Sequence, residues 1–161
     1  YFDDKGYFKL FDTGKKINNT YYVHGRIDDV LNIRGHRIGS GEIESVILSN
    51  KDIKETSVID TDNPITGKSI VVFASLKKDI NDKEVLKSKI NSKIINIFGK
   101  FALPDRIIFI EDLPKTKSGK ILRRLLRNIY LNKKADSYGD LSTIIDRSCI
   151  KDIKSAVRQK K

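Results

Sequence analysis

Methionine and tryptophan are absent from the 161 residues, cysteine occurs once, histidine twice and proline three times. Translation starts at Met, so a chain that opens on Tyr1 and holds no Met reads as a piece of a longer protein. The single Cys149 excludes an internal disulfide, and with only His24 and His36 beside it a structural zinc centre lacks ligands, so no metal site is expected. Such thiol usage fits a reducing compartment, and the expected location is the cytoplasm. No apolar run nears the roughly 20 residues that a membrane-spanning helix needs, and no signal-peptide pattern is present, so no membrane partner is expected.

Acidic residues are also in deficit: 32 Lys and Arg against 21 Asp and Glu leave a formal charge of +11. That excess suits nucleic acid, an anionic membrane surface or a phosphorylated ligand. The lysines are scattered among Ile and Asn rather than gathered in a block, which disfavours nucleic acid and leaves a polyphosphate ligand as the better match.

Apolar spacing divides the chain into short elements. Residues 7–11 (YFKLF) and 20–26 (TYYVHGR) read as two strands of a hairpin around the turn-rich "DTGKKINN". Ile43, Val46 and Ile47 recur at helical spacing behind Ser40, an apt N-cap, with Glu42 in the first turn. "TSVID" (56–60) and "SIVVFASL" (69–76) are β-branched runs on either side of Pro64 and Gly67. From Asp82, the residues Val85, Leu86, Ile90, Ile94, Ile97 and Phe98 mark a helix that stops at Gly99, and "RIIFIE" (106–111) supplies a third strand. A further helix is expected from Ser118 or Gly119, with Ile121, Leu122, Leu125, Leu126 and Ile129 on one face. The remainder from Lys133 is polar at first and closes with an amphipathic helix through Ile150, Ile153 and Val157. The order predicts an α+β fold, a small mixed sheet flanked by helices and preceded by a β-hairpin.

Two stretches carry candidate chemistry. In "LPKTKSGKILRRLLR" (113–127), Lys120 would occupy the first turn of that helix, where exposed amides make a cation unwelcome unless an anion binds there. A phosphate-binding P-loop is excluded, because Pro114 stands at the first glycine position and Ile121 follows Lys120 where a hydroxyl would be needed. In "GRIDDVLNIRGHRIGSGEIE" (25–44), Asp28 and Asp29 are sequence neighbours that point apart in a strand, which suggests a turn or hinge rather than a carboxylate pair. Gly35 suggests positive φ or close passage of a ligand. Arg34 and Arg37 could take phosphate oxygens bidentately, and His36 reads as a structural residue.

In this order, "GRIDDVLNIRGHRIGSGEIES" and "LPKTKSGKILRRLLR" resemble the C-terminal region of the AMP-forming acyl-CoA synthetases, members of the adenylate-forming superfamily. The likeness spans about residues 7–146 and is greatest to the acetyl-CoA and propionyl-CoA synthetase type, whose ends carry segments like "GDLSTIID". It implies the C-terminal cap domain of those enzymes: residues 1–27 ending the large adenylation domain, 28–132 forming the C-terminal AMP-binding-enzyme domain, and 133–161 a C-terminal tail. It also implies a ligase that converts a carboxylate and Mg-ATP to acyl-AMP, after which the domain rotates and CoA takes the acyl group. The piece alone is expected to be inactive.

By resemblance, Lys120 is the catalytic lysine on carboxylate and phosphate oxygens, and the target of a lysine acetyltransferase and deacetylase that would remove and restore its charge. Asp28 matches the hinge. Asp12, in "FDTG", matches the aspartate on the ribose hydroxyls, although the family's T-G-D order is missing here. Arg26 and Arg37 match contacts to ribose and phosphate, so Asp12, Arg26 and Arg37 form the expected nucleotide (ATP/AMP) set. Gly35 matches a position lining the pantetheine tunnel. Arg34 is expected to reach a CoA phosphate, because an arginine that the family uses for this is replaced near Ile95 by an apolar residue. Mg2+ would arrive with ATP, held mainly by the N-terminal adenylation domain, the chief expected partner beside a small carboxylate. A longer-chain acyl-CoA ligase, a luciferase-like oxidase and a peptide-synthetase adenylation domain share the motifs. A basic nucleic-acid-binding domain would explain the charge but not the two ordered motifs.

Overall fold

A computed structural model of the chain describes residues 2–7, 12–26, 29–65 and 67–159, with backbone alone at 13 and 24–26. Its centre is a three-stranded sheet of β5 (Ile53–Asn63), β6 (Gly67–Leu76) and β7 (Arg106–Ile110) in that order, antiparallel between the first pair and parallel between the second. The parallel step needs a crossover, which α2 (Lys83–Phe98) supplies. The Asp82 carboxylate accepts the Val85 N–H at 2.9 Å to start this helix, and Gly99, at φ +97°, ends it.

Strand residues alternate between two cores, as the two-residue period demands. Val58, Ile70, Val72 and Ile107 face one side, packed by α1 (Ser40–Leu48), α2 and the hairpin β3 (Val30–Ile33)–β4 (His36–Gly39). Ile59, Val71, Phe73 and Ile108 face the other, packed by α3 (Arg123–Tyr130) and α4 (Cys149–Arg158). Both faces of β6 are therefore covered, which is why its sequence is an unbroken apolar run rather than an alternating one. The expected mixed sheet with flanking helices is the fold.

Three local expectations need correction. The first hairpin pairs β1 (Asp12–Ile17) with β2 (Thr20–Arg26), so "DTGKKI" is strand and only Asn18–Asn19 turns, Asn18 at φ +53°. Of the strand expected over 7–11, residues 8–11 lie outside the described residues. Around α1, the cap lies one residue earlier than expected: Ser40 is the first helical residue and Gly39 the N-cap, whose N–H the Glu42 carboxylate accepts at 2.7 Å. The third correction, at Lys120, belongs to the site.

The stretch expected as a tail is integral to the second core. Tyr138, Ile144, Cys149 and Ile153 are buried there, and Arg106 donates to the carbonyls of Val157 and Gln159 at 3.2 Å. Burial raises the Cys149 thiol above its ordinary range, and the charges of Asp146, Asp112 and Asp152 add to the effect. At pH 8 it stays a thiol, so reaction with a thiol reagent should run at least about tenfold slower in the native state than in guanidinium. Peptide mapping of the labelled site measures this; equal rates would contradict the packing.

Candidate functional site

Lys120 does not begin a helix. Residues Lys115 and Ile121 pair antiparallel, the Thr116 N–H donates to the Lys120 carbonyl at 2.9 Å, and the Gly119 N–H returns to the Thr116 carbonyl at 2.8 Å. This is a hairpin with a three-residue connection, and Gly119 at φ +84° takes the left-handed position that such connections require. The Lys120 N–H also donates to Thr116 Oγ1 at 3.1 Å. Helix α3 starts three residues later, at Arg123. The ammonium therefore escapes the helix-terminus repulsion that the sequence suggested, and it stands exposed at the end of a tight hairpin.

The hairpin is tied to the sheet by an ion pair that no sequence spacing could announce. Lys115 Nζ lies 2.8 and 2.9 Å from the two Glu55 oxygens, with each side chain about a quarter exposed (27% and 28%), enough shielding to strengthen the pair. Arg123 makes a second tie. Its guanidinium meets both Glu44 oxygens at 2.8 and 2.9 Å and reaches Asp29 Oδ2 at 3.4 Å, while Glu44 also accepts the Val58 N–H at 2.8 Å. With Nε also donating to Glu44 Oε1 at 3.3 Å, two guanidinium nitrogens face the carboxylate in the fork arrangement that favours Arg–carboxylate pairing. Arg127 pairs with Asp60 in the same region. Arg123 and Arg127 fall off the apolar face of the helical spacing, and their acidic partners lie far off in the chain, so only the fold brings them together.

A cleft of about 510 Å³ opens beside the hairpin, lined by Lys120, Arg123, Arg124 and Arg127 together with Asp29 and Leu31. Neither Asp12 nor Arg37 lines it. Asp12 is exposed at the start of β1 and stands in register opposite Arg26, so two of the nucleotide candidates are backbone neighbours. The side chain of Arg26 and all of Asp28 lie outside the described residues.

Arg34 and Gly35 form the two-residue turn of β3–β4, at φ +51° and +82°, between the paired residues Ile33 and His36. Positive φ at both positions is the signature of a type I′ turn. Arg34, Gly35 and Arg37 are all exposed. His36 stacks on Phe101, with ring centroids 4.0 Å apart and planes at 20°, the structural role its sequence context suggested. β3 thus separates two features: Asp29, before its first residue, faces the Lys120 cleft, and the Arg34–Gly35 turn lies about 16 Å further along the strand.

Comparisons with known proteins bear on the fold and the family. The model of the AMP-binding enzyme C-terminal domain matches residues 42–120. An acetyl-coenzyme A synthetase of Leptospira biflexa is 38% identical over 150 residues, 92% of this chain and 23% of that protein. Its counterpart in Coprinopsis cinerea is 40% identical over 157 residues, 94% of this chain and 24% of that protein. The chain thus spans about a quarter of the length of the curated relatives it matches. Among solved structures, ATP-bound MatB from Rhodopseudomonas palustris superposes with a TM-score of 0.71 at 27% identity, covering 80% of this chain and 25% of that one. Residues 42–120 belong to the family of AMP-binding enzyme C-terminal domains, and the chain as a whole is similar to the C-terminal region of AMP-forming acetyl-CoA synthetases.

Proposed function

We propose that this chain is the moving C-terminal domain of an AMP-forming short-chain acyl-CoA synthetase of the acetyl-CoA or propionyl-CoA type, presenting different edges to ATP and to CoA. The observation that carries the reading is the separation along β3. Lys120 lines a cleft with Asp29, just before the first residue of β3, whereas the exposed turn holding Arg34 and Gly35 closes the other end, about 16 Å along the strand from Asp29, so one fixed pose would not bring both to a single reacting carboxylate. Rotation about Asp28 would present them in succession.

In the first pose, the Lys120 ammonium offsets charge on the carboxylate and α-phosphate oxygens as pyrophosphate leaves, while Asp12 accepts from the ribose hydroxyls and Arg26 and Arg37 hold ribose and phosphate. The donor set suits a nucleotide. Mg2+ would arrive with ATP and supply charge neutralisation on its phosphates, held mainly by the N-terminal adenylation domain. In the second pose, Gly35 borders the path of the pantetheine thiol and Arg34 takes a CoA phosphate. Lys120 is exposed, as acetylation by a modifying enzyme would require. We place the moving unit from Asp28 to the end of α4, since residues after 132 complete its second core. No helix among the described residues is long and apolar enough to cross a membrane; the proposed cytoplasmic location rests on the thiol usage of the sequence.

The test is acyl-CoA formation by the complete protein with ATP, CoA and acetate or propionate, beside titration with random DNA at rising salt. ATP-dependent acyl-CoA formation is expected. Salt-sensitive DNA binding with no acyl transfer would overturn the reading in favour of a nucleic-acid-binding domain.

A further inference from the structure

We propose that the segment around residues 140–145 is a positioning element for Lys120, a third strand that holds the lysine-bearing hairpin in its reactive placement. The proposal rests on the adenylation role given to Lys120 above. Residues 115–117 have two hydrogen-bonding edges. One closes the hairpin on residues 120–121, and the other is taken by the C-terminal segment: the Lys117 N–H donates to the Thr143 carbonyl at 3.0 Å, the Ile145 N–H donates to the Lys115 carbonyl at 3.0 Å, and Thr116 pairs antiparallel with Ile144 between them. A hairpin on its own is marginally stable in water, whereas a third strand backed by a core makes a durable ladder.

The clamping segment is itself anchored. Ile144 is 5% exposed in the second core, the Asp140 carboxylate accepts the Ser142 N–H at 2.8 Å, and Arg147 Nε donates to the Leu141 carbonyl at 3.1 Å. Rigidity therefore passes from the core through Ile144 to Thr116, and from Glu55 through Lys115 to the same hairpin. The match to the family model ends at Lys120, before this supporting segment. A general consequence of charge stabilisation by a placed group is that loss of placement costs rate even when the group remains.

Ile145→Pro isolates the effect. Proline removes the N–H that bonds Lys115, the Ile145 side chain is 63% exposed and leaves no cavity, and Ile144 at φ −76°, ψ 134° already has the extended shape that a residue before proline takes. The complete enzyme would be assayed for carboxylate-dependent ATP–pyrophosphate exchange and for thioester formation from supplied acyl-AMP, with hydrogen exchange followed at the Lys117 amide. Ile145→Ala, which keeps the N–H, and Lys120→Ala run alongside.

The expected result for Ile145→Pro is faster exchange at Lys117, adenylation lowered about tenfold and thioester formation unchanged, with Ile145→Ala close to the parent in all three. Unchanged Lys117 exchange overturns the clamp. Faster exchange with intact adenylation overturns the positioning role while leaving the Lys120 assignment standing, provided Lys120→Ala abolishes adenylation. An equal fall of both half-reactions marks a general structural effect and also overturns it. If Lys120→Ala keeps adenylation, the catalytic assignment fails and the proposal fails with it.

Discussion

Lys120→Ala in the complete enzyme is expected to lower adenylate formation by about 10²–10³-fold, the usual cost of removing one preorganised charge-stabilising group, while leaving thioester formation from supplied acyl-AMP within about twofold of the parent. The split follows from the geometry. Lys120 sits on a hairpin braced by backbone bonds to residues 143–145 and by the Lys115–Glu55 pair, so deleting its side chain removes a charge without disturbing the support. The side chain is exposed in this domain and fills no core, so stability should hold. Rapid-quench measurement of the two half-reactions checks it; equal loss in both would sink the assigned role.

Gly35→Leu should give the opposite pattern, with adenylation kept and the CoA step reduced by on the order of 10²-fold or more. Two causes compete and the structure separates them. Gly35 has φ +82° in a type I′ turn, so any branched or bulky residue there costs about 1–2 kcal/mol of local strain. An added Cβ meets nothing within 4 Å among the described residues, so obstruction is expected from what docks against the turn. Asn tolerates the left-handed conformation, and Gly35→Asn therefore relieves strain while still adding bulk. If Gly35→Asn also slows the thiol step, space for the ligand is what matters. If it restores the parent rate, the glycine serves the turn, and the tunnel assignment falls.

How far the sequence could be read depended on which interactions wrote it. Runs governed by burial were plain: "SIVVFASL" is β6, with both faces covered, and the Ile, Leu and Phe spacing from Asp82 to Gly99 marks α2 almost to the residue. The β3–β4 hairpin was hidden, because two four-residue strands around Arg34–Gly35 carry too few apolar positions to show a period, and the stretch read as hinge and turn. The start of α3 was misplaced because Ile121 and Leu122 continue its apolar spacing while belonging to the hairpin neck and the N-cap. In the site, exposed single residues carried by motif were legible as candidates. Their supports were not: Lys115–Glu55, Arg123–Glu44 and the bonds from Lys117 and Ile145 join residues whose nearness only the fold creates.

The Arg123 tie has mechanical meaning if, as proposed above, the domain turns about Asp28. Because the guanidinium that grips Glu44 also reaches Asp29 at 3.4 Å, the residue just after the proposed pivot is linked to the body of the domain, a contact that would resist torsion passing into β3. The fulcrum is short and the body beyond it acts as a lever. Points near the axis then travel little and distant ones travel far, in proportion to radius. Lys120, across the cleft from Asp29, would trace a small arc and leave its carboxylate by a change of direction, whereas the Arg34–Gly35 turn, about 16 Å out along β3, would sweep the long arc that brings it to CoA.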